Sequence, residues 1–121
     1  MIKVRFGFSS DGKSIILTLQ GHAGYAEKGT DIICSAATIL AYTAAQCVKT
    51  MHDKGQLKKK PTINLSEGDI SIVCKPTKDS FAEAMHIYFV VRMGYLLLAN
   101  TFGKYISVKQ FGQDDEESSF T

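Results

Sequence analysis

At the start of the chain Ile2, Val4, Phe6 and Phe8 alternate with Lys3, Arg5 and Gly7. A period of two is the mark of a strand with one buried face. "SSDGK" at 9–13 has the composition of a tight turn, and Ile15, Leu17 and Leu19 resume the alternation, so residues 2 to 20 are predicted to form an antiparallel hairpin. From Thr30 the period lengthens: Ile33, Ala37, Leu40, Ala41, Ala44, Val48 and Met51 recur at spacings of three and four, which places them on one stripe of a helix over about 31–53. Thr30 or Asp31 is its expected N-cap and Gly55 its stop. Ile63 and Leu65, then Ile70, Ile72 and Cys74, give a second hairpin turning at "SEGD". Ser80 with Glu83 reads as a capping box ahead of a second helix over about 80–101, whose stripe is Phe81, Ala84, Met85, Tyr88, Phe89, Arg92, Leu96 and Ala99. Gly103 closes it, and 105–109 reads as a last strand.

The resulting order is ββαββαβ. It predicts an α+β fold, a two-layer domain in which two helices cover one face of a mainly antiparallel sheet. Residues 1–110 are expected to form one domain and 111–121 a frayed acidic tail, because a chain of 121 residues suffices for one core without staples.

Composition narrows the function classes. A hydrophobic share of 45% and a net charge of +2 are ordinary for a globular protein, so nucleic acid is not required as a partner. The charged, alternating N-terminus has no unbroken apolar run of the kind a signal peptide or anchor needs, and a cytoplasmic location with no membrane partner is expected. Three cysteines without CxxC spacing suggest free thiols in a reducing compartment. With no HxxxH motif and no grouped carboxylates, no metal and no cofactor are expected.

Chemistry concentrates in "GHAGYAEKGTDIICSAA", residues 21–37. Cys34 falls in the first turn of the first helix, where unpaired amides and the positive helix end favour a thiolate, the nucleophilic form of the group. His22 leaves the preceding strand, and an imidazole can both accept a thiol proton and return it to a leaving amine. The first-turn amides, that of Cys34 included, are a candidate oxyanion hole. Gly24 and Gly29 are expected to hinge the intervening loop. Asp31 has two readings, helix N-cap or a carboxylate that orients His22. Cys47 falls on a different side of the first helix from Cys34, so the two cannot share a metal, Cys74 is expected in the core, and His52 and His86 are expected to be surface or structural.

"GHAGYAEKGTDIICSAAT" closely resembles the signature of the Prp family, the ribosomal-processing cysteine proteases. The resemblance rests on "GHA" after a hairpin, on the "G-x-D-I-[IV]-C-[AS]-A" that opens the helix, and on similar element order and length. It implies His22 and Cys34 as the catalytic pair, with Gly21, Gly29 and Asp31 as matching positions around them. It further implies a homodimer, a flexible loop over 22–33, and a substrate in the aromatic-rich N-terminal extension of a large-subunit ribosomal protein. Ser35 and Thr38 depart from the common Ala and Ser, which leaves room for a paralogue with another substrate. Two rival readings remain. One is a ribosome-associated module that binds peptide or RNA without cutting, using Lys58–Lys60; the other is a thiol redox sensor.

Overall fold

The computed structural model describes residues 1–27 and 31–111. Gly29, Thr30 and the acidic tail after Phe111 lie outside the described residues. The elements follow the expected order: β1 (Ile2–Phe8), β2 (Ile15–Gln20), α1 (Ile32–Asp53), β3 (Thr62–Ser66), β4 (Asp69–Cys74), α2 (Phe81–Thr101) and β5 (Ile106–Gln110). The strands form a sheet of order β3-β4-β2-β1-β5, antiparallel throughout except that β5 runs parallel to β1.

Register explains why one face is buried. Val108, Val4, Leu19, Ile70 and Leu65 are successive cross-strand partners, so a single apolar row crosses all five strands. Because side chains alternate faces, a slip of one residue in any strand would send its apolar set to solvent. The helices lie side by side over this face. Ala37, Ala41, Ala44 and Ala45 keep the inner side of α1 low and buried. At Gly94 of α2 a Cβ would come within 2.8 Å of Leu40 Cδ2, so the missing side chain is what lets the helices approach. Two buried phenols fix the layers. The Tyr88 hydroxyl donates to the carbonyls of Ile15 (3.4 Å) and Ile72 (3.3 Å), and the Tyr95 hydroxyl donates to that of Ala37 at 2.7 Å. Burial pushes both phenol pKa values up, with the adjacent Cys74 thiol adding to the effect at Tyr88, so both remain protonated donors.

The ends of α1 follow expectation. Asp31 is the N-cap, and past the C-terminus the amides of Gly55 and Gln56 donate to the carbonyls of His52 (3.0 Å) and Met51 (2.9 Å), the paired bonds of a glycine-terminated helix.

Three expectations are corrected. The capping box does not form: Ser80 sits at the end of a short 3-10 turn (Lys78–Ser80) without the extended backbone of an N-cap, and the Glu83 carboxylate accepts from Gln56 Nε2 instead. The buried stripe of α2 is Ala84, Tyr88, Val91, Tyr95 and Leu96, whereas Phe89 is 54% exposed and Arg92 is only partly buried. That helix is apolar on nearly every side, so spacing alone could not fix which side faces the sheet. In β1 the alternation of buried and exposed residues stops at Phe6, because Phe111 covers Gly7 while Phe8, 39% exposed at the end of the strand, stacks on Phe81 of α2 with ring centroids 6.4 Å apart.

Candidate active site

The chain leaves β2 at Gly21, whose amide donates to the Gly68 carbonyl in the β3–β4 turn at 3.0 Å. A side chain at 21 would run into the Met1 carbonyl. That close approach carries His22 onto the same turn, where its imidazole covers Gly68: a Cβ there would sit 2.8 Å from Nε2. Gly68 also has φ +72°, a left-handed conformation that side chains rarely adopt. The β3–β4 turn therefore favours glycine for its backbone, and a side chain there would push the ring above it aside.

Asp31 organises the other side. It is 5% exposed, yet its carboxylate accepts four backbone amides among the described residues. Oδ1 takes the amides of Ile33 and Cys34, both at 3.0 Å, and Oδ2 those of Tyr25 (3.1 Å) and Ala26 (3.4 Å). Burial pushes its pKa up, but the amides of Cys34, Tyr25, Ala26 and Ile33 outweigh this and hold the carboxyl below its ordinary value. It thus joins the His22 segment to the helix that carries Cys34. Of its two readings the structure shows the N-cap, with both oxygens occupied by amides rather than by the imidazole.

The same bonds correct the expected oxyanion hole. The Cys34 amide points at Asp31, and the Ser35 amide donates to the Asp31 carbonyl at 3.1 Å. The amide aimed at the sulfur belongs to Ala23, which donates to Cys34 Sγ at 3.3 Å.

His22 and Cys34 line one cleft of about 790 Å³. One wall is the flank of α1, with Ser35, Thr38, Ile39 and Tyr42 beyond Cys34; the other is the β3–β4 hairpin from Leu65 to Ile70. Ile39 and Tyr42 are 61% and 45% exposed, so the cleft offers apolar surface to a ligand. Among the described residues the thiol and the imidazole share this cleft without a hydrogen bond between them. Gly24, one of the expected hinges, lines the cleft with φ +69°. Cys47 is half-buried and Cys74 buried in β4, and neither lines the cleft. His52 and His86 are exposed on the helices. Among the described residues no group of three His, Cys, Asp or Glu is placed to hold a metal.

Sequence reasoning missed Gly68, the Ala23 amide and the Ile39–Tyr42 wall. The glycine of "SEGD" was a visible turn signal, but nothing in it pointed to His22.

Comparison with known proteins decides the family: the cysteine protease Prp family matches residues 1–107. The chain belongs to the Prp family. Membership makes it a cysteine protease, and the cleft that holds Cys34 and His22 accords with that class. Among solved structures, the essential ribosomal processing protease Prp from S. aureus, in complex with a covalently linked product peptide, superposes with a TM-score of 0.68 at 22% identity, covering 91% of this chain and 99% of that one. The same S. aureus protease with a substrate peptide gives a TM-score of 0.63 at 21% identity, over 91% and 99% of the two chains. SMU.848 from Streptococcus mutans gives 0.63 at 20% identity, over 93% and 96%. These likenesses establish a shared fold. No curated protein matches the sequence.

Proposed function

We propose that this Prp-family protease is an endopeptidase that removes a short N-terminal extension from a large-subunit ribosomal protein, with Cys34 as nucleophile and His22 as general base and acid. The observation that carries the assignment is the position of Cys34: it opens a helix at the wall of a peptide-sized cleft, with the segment bearing His22 bonded to its sulfur through the Ala23 amide.

The imidazole takes the thiol proton and the thiolate attacks the scissile carbonyl, forming a C–S bond. The Ala23 amide, already donating beside the sulfur, is the donor at hand for the charge that develops on the carbonyl oxygen. Collapse of that intermediate breaks the C–N bond, and the imidazolium passes its proton to the leaving amine. Water, deprotonated by the imidazole, then releases the acyl group and restores the thiol. Asp31 supports these steps by holding the His22 segment against the helix, and Gly24 hinges that segment. No metal or cofactor enters the steps.

The substrate reading draws on the S. aureus protease, which carries peptides in its complexes and is named for ribosomal processing. It also draws on the apolar wall of Ile39, Tyr42, Leu65 and Ile70, suited to aromatic side chains of an extended peptide. We take residues 1–110 as one catalytic domain, working in the cytoplasm, where three free cysteines would stay reduced. We take the enzyme to be a homodimer.

The test is incubation with a peptide spanning the extension and its junction, followed by mass measurement under reducing conditions. Wild type should yield two fragments, whereas Cys34→Ala should bind the peptide and leave it whole. His22→Ala should flatten the pH dependence of the residual rate. Intact peptide with wild type and Cys34→Ala behaving alike would replace this reading with one of binding alone.

A further inference from the structure

Past His22, three kinds of contact help to fasten the segment among the described residues. The Ala23 amide meets Cys34 Sγ, the amides of Tyr25 and Ala26 meet Asp31, and the ring of Tyr25 lies edge-on to Tyr105 (centroids 5.2 Å apart, 88° between planes) and to Phe102 (6.0 Å, 71°). The first two tie the segment to the start of α1. Only the third ties it to the connection between α2 and β5. That connection is itself firmly built: Phe102 donates its amide to the Leu98 carbonyl at 2.7 Å, Tyr105 to Phe102 at 2.8 Å, and Ile2 to Tyr105 at 2.8 Å. Tyr25 is not among the residues that line the cleft and is 45% exposed, so core filling does not account for its placement.

We propose that Tyr25 is a positioning residue for the protease reaction: its ring, seated on Phe102 and Tyr105, fixes the backbone of 22–25 so that the Ala23 amide stays beside the Cys34 sulfur and the imidazole stays in the cleft. The proposal rests on the Cys34–His22 assignment. Edge-on aromatic contacts are directional, so they set where a backbone lies as well as holding it there. A small displacement of a reacting group is enough to cost a large part of the rate.

Tyr25→Ala removes both ring contacts, and Tyr25→Phe keeps them. Amide exchange measured by NMR reads the positioning without any substrate: the Ala23 amide should exchange about tenfold faster in Tyr25→Ala, through easier local opening, and at the wild-type rate in Tyr25→Phe. With the junction peptide, kcat/KM should fall about tenfold to a hundredfold in Tyr25→Ala and recover in Tyr25→Phe. Should Tyr25→Ala melt below the assay temperature, Tyr25→Leu carries the same comparison with apolar bulk and no ring. An Ala23 amide that exchanges at the wild-type rate in the ringless variants, or full cleavage by them, would overturn the proposal. If wild type itself leaves the peptide whole, the reading of a ribosomal-protein extension as substrate falls, and exchange alone decides whether Tyr25 fastens the segment.

Discussion

Asp31 keeps its charge where water hardly reaches, because the amides of Ile33, Cys34, Tyr25 and Ala26 solvate it in place of water. Losing the helix cap alone in Asp31→Ala is expected to cost about 0.5–2 kcal/mol, with a further cost from the amides left without an acceptor. Asp31→Asn separates charge from shape. The folded-state pKa is depressed, so this stabilisation is complete above the unfolded-state value and is lost as pH falls through the folded one. The stability gap between wild type and Asp31→Asn should therefore be widest near neutrality and close below about pH 4, as checked by denaturant melts across that range. At this scale much was legible: His22, Cys34 and Asp31 stand out in one short segment because imidazole, thiol and carboxylate are the side chains the proposed chemistry needs. The Ala23 amide did not, since a backbone donor has no side-chain signature and its aim depends on the path of the loop.

The β3–β4 hairpin is the element whose role the chain order concealed. Its strands and turn were readable from alternation and from "SEGD", but its place beside His22 depends on β4 pairing with β2, a contact made only after α1 has crossed the sheet. Gly68 tests that contact. Gly68→Ala should lose about 1–2 kcal/mol from the left-handed backbone and displace the imidazole as well. Asparagine accepts such a backbone more readily, so Gly68→Asn should restore part of the stability while peptide cleavage stays low, because its Cβ still meets the ring. Thermal melts and cleavage rates together separate the two effects. The second helix shows the opposite limit of sequence reading. It was readable as a helix, yet its buried side was not, because Tyr95 and Val91 are chosen by what they meet on α1 and the sheet rather than by period.

At the scale of the whole molecule, the exposed apolar side chains among the described residues include two groups on the helices. Ile39 and Tyr42 belong to the cleft, whereas Phe89, Val90 and Leu97 lie half or more exposed on α2 away from it. Both helices are long and apolar enough by length and composition to span a bilayer, yet each lays one side on the sheet. For the proposed homodimer the α2 patch is the candidate contact. Sedimentation should show a dimer at micromolar concentration and a monomer for Val90→Asp with Leu97→Asp; a wild-type monomer would remove the dimer. Class and element order were legible at this scale, but strand order was not, because the parallel pairing of β5 with β1 joins residues about a hundred positions apart in sequence. That pairing sets an order of events. The lining of the cleft, from Ile2 to Ile70, has all been synthesised while β5 and the seat of Tyr25 at Phe102 and Tyr105 have not. On the proposed roles, a chain made from its N-terminus holds Cys34 and His22 well before it holds the seat proposed to align them. If those roles hold, proteolytic competence is expected to arrive only with β5, and a half-made copy to carry the thiol without being able to cut.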